Sequence, residues 1–178
     1  GKTVEDFGQA LADYAGARYG VAVSSGTAAL HLSVAALNIE SGDEVITTPI
    51  TFCATANAAL YQGAEVKFVD IDEKTLNIDP NLVKEKITER TKAIIPVDFR
   101  GHPAKLPEIK EIADLYNLKI IEDGSHSIGS TYIQNGKEFF LLSHDCDKKP
   151  DKKICIDYDD ESNILAMYNH ITKTIYLN

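Results

Sequence analysis

The chain has 178 residues, 44% of them hydrophobic and 25% charged, with 27 acidic against 18 basic side chains and a net charge of -9. That is one domain's worth of sequence, apolar enough to bury a core, which excludes a disordered or fibrous chain. The acidic balance excludes the positive footprint that nucleic acid or an anionic membrane requires, and no apolar run approaches the roughly 20 residues that cross a bilayer.

From the start to about residue 123, short apolar runs rich in β-branched residues alternate with segments of helical period, a pattern that predicts an α/β sheet, mostly parallel, with helices on both faces. In chain order the reading is a helix over 4–16, a strand at Val21-Ala22-Val23-Ser24 and a helix over 27–38. There follow a strand at Val45-Ile46-Thr47-Thr48, a helix over 52–62, a strand at Val66-Lys67-Phe68-Val69-Asp70 and a helix over 80–88. Lys92-Ala93-Ile94-Ile95-Pro96-Val97, a helix over 107–117 and Leu118-Lys119-Ile120-Ile121 complete the series. Asp79-Pro80 pairs an N-cap with a proline at the first helical position, Pro107 opens the next helix, and Gly42-Asp43 and Gly63-Ala64 mark turns back into the sheet.

Composition changes near residue 133: residues 1–132 hold seventeen alanines and ten of the eleven glycines, residues 133–178 only Ala166 and Gly136. The reading therefore divides the chain into a unit at 1–132 and an unassigned tail at 133–178. In the tail a charged stretch, Asp145 to Lys153, precedes three short strands at 154–156, 164–168 and 172–177. The three cysteines, Cys53, Cys146 and Cys155, are few and widely spaced, which fits a reducing, cytoplasmic compartment. His144-x-Cys146 with Cys155 lacks the spacing of a zinc site, so no metal is assigned.

Three motifs carry chemistry. Ser24-Ser25-Gly26-Thr27-Ala28-Ala29-Leu30 joins a strand to a helix, where free N–H groups and the helix dipole form an anion site; the same residues also make an ordinary N-cap. Ile120-Ile121-Glu122-Asp123-Gly124-Ser125-His126 ends a buried strand at the edge where open α/β sheets gather ligands. Asp123 there serves a bound cation or caps a turn, and His126 faces the crevice or is structural. No Gly-x-Ser-x-Gly elbow supports a hydrolase triad. In Thr47-Thr48-Pro49-Ile50-Thr51-Phe52-Cys53-Ala54-Thr55-Ala56-Asn57, Phe52 lies flat on a planar ring or packs in the core.

Taken with Phe68-Val69-Asp70-Ile71-Asp72, Asn77-Ile78-Asp79 and Thr91 to Val97, the three motifs resemble the DegT/DnrJ/StrS-type sugar aminotransferases from Gly1 to about Tyr132. The wording Ile46-Thr47-Thr48-Pro49-Ile50-Thr51-Phe52 with Ala56-Asn57 is most similar to enzymes that aminate C4 of UDP-4-keto-6-deoxy-N-acetylhexosamines on the way to pseudaminic acid. The resemblance implies the large domain of the aspartate aminotransferase fold, pyridoxal phosphate as cofactor, glutamate as amino donor, a nucleotide-sugar substrate and a homodimer. It also implies that Ser25, Gly26 and Thr27 bind the cofactor phosphate, that Phe52 stacks on the ring, that Asp123 pairs with the ring nitrogen and that His126 lies near the phenolic oxygen.

The family's Schiff-base lysine belongs to a Ser-Phe-His-x-x-Lys-like segment after the acid, and the reading finds no such string. Ser143-His144-Asp145 with Lys148, and Lys152 and Lys153, are the nearest positions it weighs, so no catalytic residue is assigned. A helix before Gly1 and a smaller C-terminal domain are also missing from the family pattern. The expectation is a fragment or truncated form of the aminotransferase, inactive alone. A lysine-less dehydratase of the same fold and a non-catalytic cofactor- or partner-binding remnant are the alternatives.

Overall fold

A computed structural model describes residues 1–15, 17–127, 131–134, 137–140, 164–167 and 174–177. Helix α1 (Lys2–Ala15) leads to β1 (Tyr19–Ala22), α2 (Gly26–Ala36), β2 (Glu44–Thr47), α3 (Cys53–Leu60) and β3 (Glu65–Phe68). Then come α4 (Pro80–Lys86), β4 (Thr91–Ile95), a 3-10 turn at Phe99–Gly101, α5 (Leu106–Tyr116) and β5 (Lys119–Glu122). Four short strands follow: β6 (Thr131–Gln134), β7 (Lys137–Phe140), β8 (Ile164–Met167) and β9 (Thr174–Leu177).

Five strands form one sheet in the order β3-β2-β4-β5-β8, and every pairing in it is parallel. Strand alternation divides the core between the two faces. Ile46, Ile94 and Ile120 point to one side, where they pack with Val83, Ile109 and Ile112 of α4 and α5. Val45, Ala93, Ile95 and Ile121 point to the other, against Leu30, Val34, Ala54 and Ala58 of α2 and α3. The alanines of that second layer let both helices lie close to the sheet, and Asp79 caps α4 through Asn81 as its proline dipeptide predicts.

Two departures from the sequence reading have physical causes. The first strand runs over 19–22 rather than 21–24 and lies outside the five-stranded sheet, paired antiparallel with β9. It is held by α1, which crosses it at Gly8 and Gly20; a Cβ on either glycine would overlap the other's carbonyl oxygen. The tail contributes two of its three expected strands to this framework, β8 beside β5 and β9 beside β1. The third, 154–156, lies outside the described residues. β6 and β7 form an antiparallel hairpin that the alternation pattern did not disclose.

Candidate functional site

Parallel strands all end at one edge, and the segments leaving β1, β2, β4 and β5 there enclose a cavity of about 550 Å³. That is the size of a small-molecule or cofactor site. Ser25, Gly26, Thr27, Phe52, Asp123 and His126, the six residues singled out from the sequence, all line it. Leu30, Thr51, Ala54, Val97, Phe99 and Ser125 complete the wall.

The start of α2 forms part of the cavity wall. Ser25 is its N-cap, and the Ser25 hydroxyl accepts from the N–H of Ala28 at 3.2 Å. The N–H groups of Gly26 and Thr27 lie in the first turn, where no intrahelical acceptor exists, and the dipole of the eleven-residue helix adds positive potential. Such an arrangement is suited to holding an anion such as a phosphate.

Asp123 lines the same cavity. Its N–H donates to the Pro96 carbonyl at 2.9 Å and its own carbonyl accepts from Asp98 N–H at 3.1 Å, continuing the parallel pairing of β4 and β5 past their ends. Asp123 is buried, with 4% of its surface exposed. Thr55 donates its hydroxyl to Oδ2 at 2.7 Å, while Ser125 approaches Oδ1 with its N–H at 3.3 Å and also through its hydroxyl. Among the described residues no ion pair to a basic side chain compensates this buried charge. A protonated ring nitrogen would supply such a cation, and the donor set fits a pyridinium.

Phe52 stands at the N-cap of α3 and is 73% exposed, unusual for an aromatic beside a cavity unless a flat ligand covers it. His126 is exposed at the rim. The sequence reading missed Thr55 and Phe99. Thr55 lies one helical turn after Phe52 and shares its face, a spacing that identifies it once Phe52 is placed. Nothing local marks Phe99, because its position depends on Asn77, whose Oδ1 accepts from Phe99 N–H at 3.0 Å and whose Nδ2 donates to the His102 carbonyl at 2.8 Å.

Ser143, His144, Lys148, Lys152 and Lys153, with Cys146 and Cys155, lie outside the described residues. No lysine lines the cavity among the described residues. Likewise no cluster of histidine, cysteine and carboxylate side chains suited to a metal occurs among them, and no described helix is long and apolar enough to cross a membrane.

The sequence profile of the DegT/DnrJ/EryC1/StrS aminotransferase family matches residues 1–139. The chain is 45% identical over 134 residues to the spore coat polysaccharide biosynthesis protein SpsC of Bacillus subtilis, covering 75% of this chain and 34% of that protein. It is 43% identical over 143 residues to the UDP-2-acetamido-2-deoxy-3-oxo-D-glucuronate aminotransferase of Pseudomonas aeruginosa, covering 80% and 39%. The crystal structure of NtdA from Bacillus subtilis with bound cofactor PMP superposes with a TM-score of 0.72 at 42% identity, over 74% of this chain and 30% of that one. The chain thus spans about a third of the length of the curated relatives it matches.

Proposed function

Because the chain belongs to the DegT/DnrJ/EryC1/StrS aminotransferase family, we propose that it is the cofactor-binding part of a pyridoxal-phosphate-dependent nucleotide-sugar aminotransferase. Residues 1–132 form the incomplete large domain and residues 133–178 a divergent ending. One observation carries this reading: a single cavity is lined both by the N-terminal N–H groups of a helix and by a buried carboxylate without a basic partner among the described residues.

In this site Gly26 and Thr27 hold the phosphate through backbone N–H groups, with Ser25 fixing the start of the helix. Asp123 would keep a proton on the ring nitrogen, Phe52 would cover one face of the ring, and His126 at the rim would serve the phenolic oxygen. Pyridoxal phosphate supplies an electron sink for the carbanion of an amino-group transfer. Thr55 and Ser125 hold the carboxylate in orientation, and Phe99 and Val97 add apolar surface to the lining. The amino group passes from glutamate to a keto sugar, and the wording around Thr51-Phe52 favours C4 of a UDP-4-keto-6-deoxy-N-acetylhexosamine, a step toward pseudaminic acid. We place the chain in the cytoplasm and in a homodimer.

By itself the chain is a cofactor binder without turnover, since the described wall offers no amine. A second reading is favoured by topology. The last residue of β8, Met167, pairs with Glu122, next to Asp123, and β9 begins at Thr174. In sequence the stretch between them, outside the described residues, contains His170-Ile171-Thr172-Lys173, with the His-x-x-Lys spacing of the family's lysine segment.

Titrating the purified chain with pyridoxal phosphate tests both readings. Binding shifts the cofactor's absorbance and raises the thermal midpoint. Borohydride then fixes the cofactor covalently if a lysine has condensed with it, and Lys173→Ala abolishes that fixation under the second reading alone. Saturable binding without fixation supports the first reading, and no binding removes both.

Phe52→Ala provides a finer check on the ring's position. Loss of one stacking face lowers affinity by about 1 kcal/mol, while the unfolding midpoint of the cofactor-free chain stays unchanged because the side chain is already exposed.

A further inference from the structure

The cavity accounts for Asp123 but not for two carboxyl groups packed behind it. Asp98 follows β4, Glu122 ends β5, and both are buried. Strand alternation turns Glu122 to the face opposite Asp123, beside the Asp98 carboxyl that the Val97–Asp123 bridge brings alongside it. Two adjacent buried carboxyl groups with no cation between them are most stable with one proton shared and one negative charge left on the pair.

Asp98 has the acceptor's environment: Ala104 N–H donates to Oδ1 at 2.9 Å and the Ser127 hydroxyl to Oδ2 at 2.6 Å. Glu122 has no such donors, and its Oε1 is buried without a partner among the described residues. The proton therefore belongs to Glu122, whose carboxyl burial and the adjacent Asp98 hold well above the ordinary glutamate range.

These contacts converge on two turns. Residues 98–104 carry Phe99 into the cavity wall, and residues 124–127 carry Ser125 and His126. The turns touch at Gly101, which has a positive φ of 77° and whose Cβ, if it had one, would come within 3.0 Å of the His126 carbonyl oxygen. Only the Asp98 side chain is bonded to both turns among the described residues, through Ala104 and Ser127.

We propose that the Asp98–Glu122 pair is a positioning element that clamps these two turns together through one shared proton and so holds the cofactor pocket in shape. The proposal rests on the reading that the cavity takes pyridoxal phosphate. The titratable groups facing Glu122 among the described residues are Asp98, from the β4–α5 connection, and Asp123, from its own strand end; neither is basic. Loss of the proton leaves three neighbouring buried carboxylates with no protein cation, and the relief is to swing one into water, which opens the clamp. A second anion would also attract the ring cation, but it lies across the strand, and its desolvation outweighs that attraction.

The sign follows from linkage. Glu122 holds its proton more tightly folded than unfolded, so its contribution is complete below the unfolded value of 4.5 and is lost as pH rises through the raised folded value.

Pyridoxamine phosphate, which cannot condense with a lysine, is the probe. The full chain is titrated with it from pH 5 to pH 10, beside Glu122→Gln, whose amide still donates to Asp98 but cannot ionise. Deprotonation of the probe's ring nitrogen weakens its pairing with Asp123 in both proteins at high pH; beyond that common loss the wild type is expected to lose about a further tenfold per pH unit above the Glu122 transition, and Glu122→Gln to lack that additional limb while matching the wild type near pH 6. Asp98→Asn, which removes the acceptor, weakens binding throughout; if it fails to fold, the Glu122→Gln comparison still decides. The same limb in both proteins, or a wild-type affinity that is flat or rises with pH, overturns the clamp. No binding by the wild type at any pH instead overturns the cofactor reading beneath it.

Discussion

Replacing Asp123 by alanine is expected to weaken pyridoxal phosphate binding by about 3 kcal/mol, on the order of 100-fold in Kd, because it leaves a pyridinium in a site built around a buried opposite charge. The carboxylate accepts from Thr55 at 2.7 Å and from Ser125, so its orientation is set before any ligand arrives. Asp123→Asn separates charge from shape: it keeps the size of the side chain and loses most of the same affinity. The measurement is an absorbance titration of each variant, with thermal denaturation of the cofactor-free proteins to show that the fold persists. Wild-type affinity in Asp123→Asn would show that the acid is not the ring's partner.

The second large effect falls on stability. Ile94 is fully buried at the middle of the central strand β4, flanked by β2 and β5, and packs with Ile46, Ile109 and Ile120. Ile94→Ala is expected to destabilise the chain by about 3 kcal/mol through lost transfer energy and the cavity left behind. That is a large part of the 5–15 kcal/mol that holds a typical domain together. Two residues earlier, Lys92 points outward with its side chain half exposed and only a 3.8 Å pairing to Asp43, so Lys92→Ala leaves the urea midpoint nearly unchanged. Equal midpoints for the two variants would contradict the assignment of Ile94 to the core face.

How much of the site was legible depended on distance along the chain. Ser25-Gly26-Thr27 and Glu122-Asp123 are strand ends and helix starts, which a few neighbouring residues define, so their place at the sheet edge was legible although the choice between binding and capping was not. Phe52 was legible as an aromatic at a helix start, but whether it packed inward or faced a ligand depended on α3's tilt over the sheet; its exposure at the cavity settles that it is not core. Thr55 bonds to a carboxylate 68 residues away, and Ser127 to one 29 residues earlier. No periodicity records such partners.

The alternation of strands and helices, the parallel sheet it implies and the strand-end edge that holds the cavity were all legible along the chain, whereas the six lining residues were singled out by resemblance to a family. The first three are carried by hydrophobic period, caps and turns, each confined to a few consecutive residues. Only the tertiary structure decided that β1 leaves the main sheet for β9, that β8 lies against β5, and that Glu122 faces Asp98 rather than the cavity. The reason is common to all three: strand order and carboxyl pairing are chosen by the packing of distant segments, and residues alike in local propensity differ there only in what the fold sets beside them.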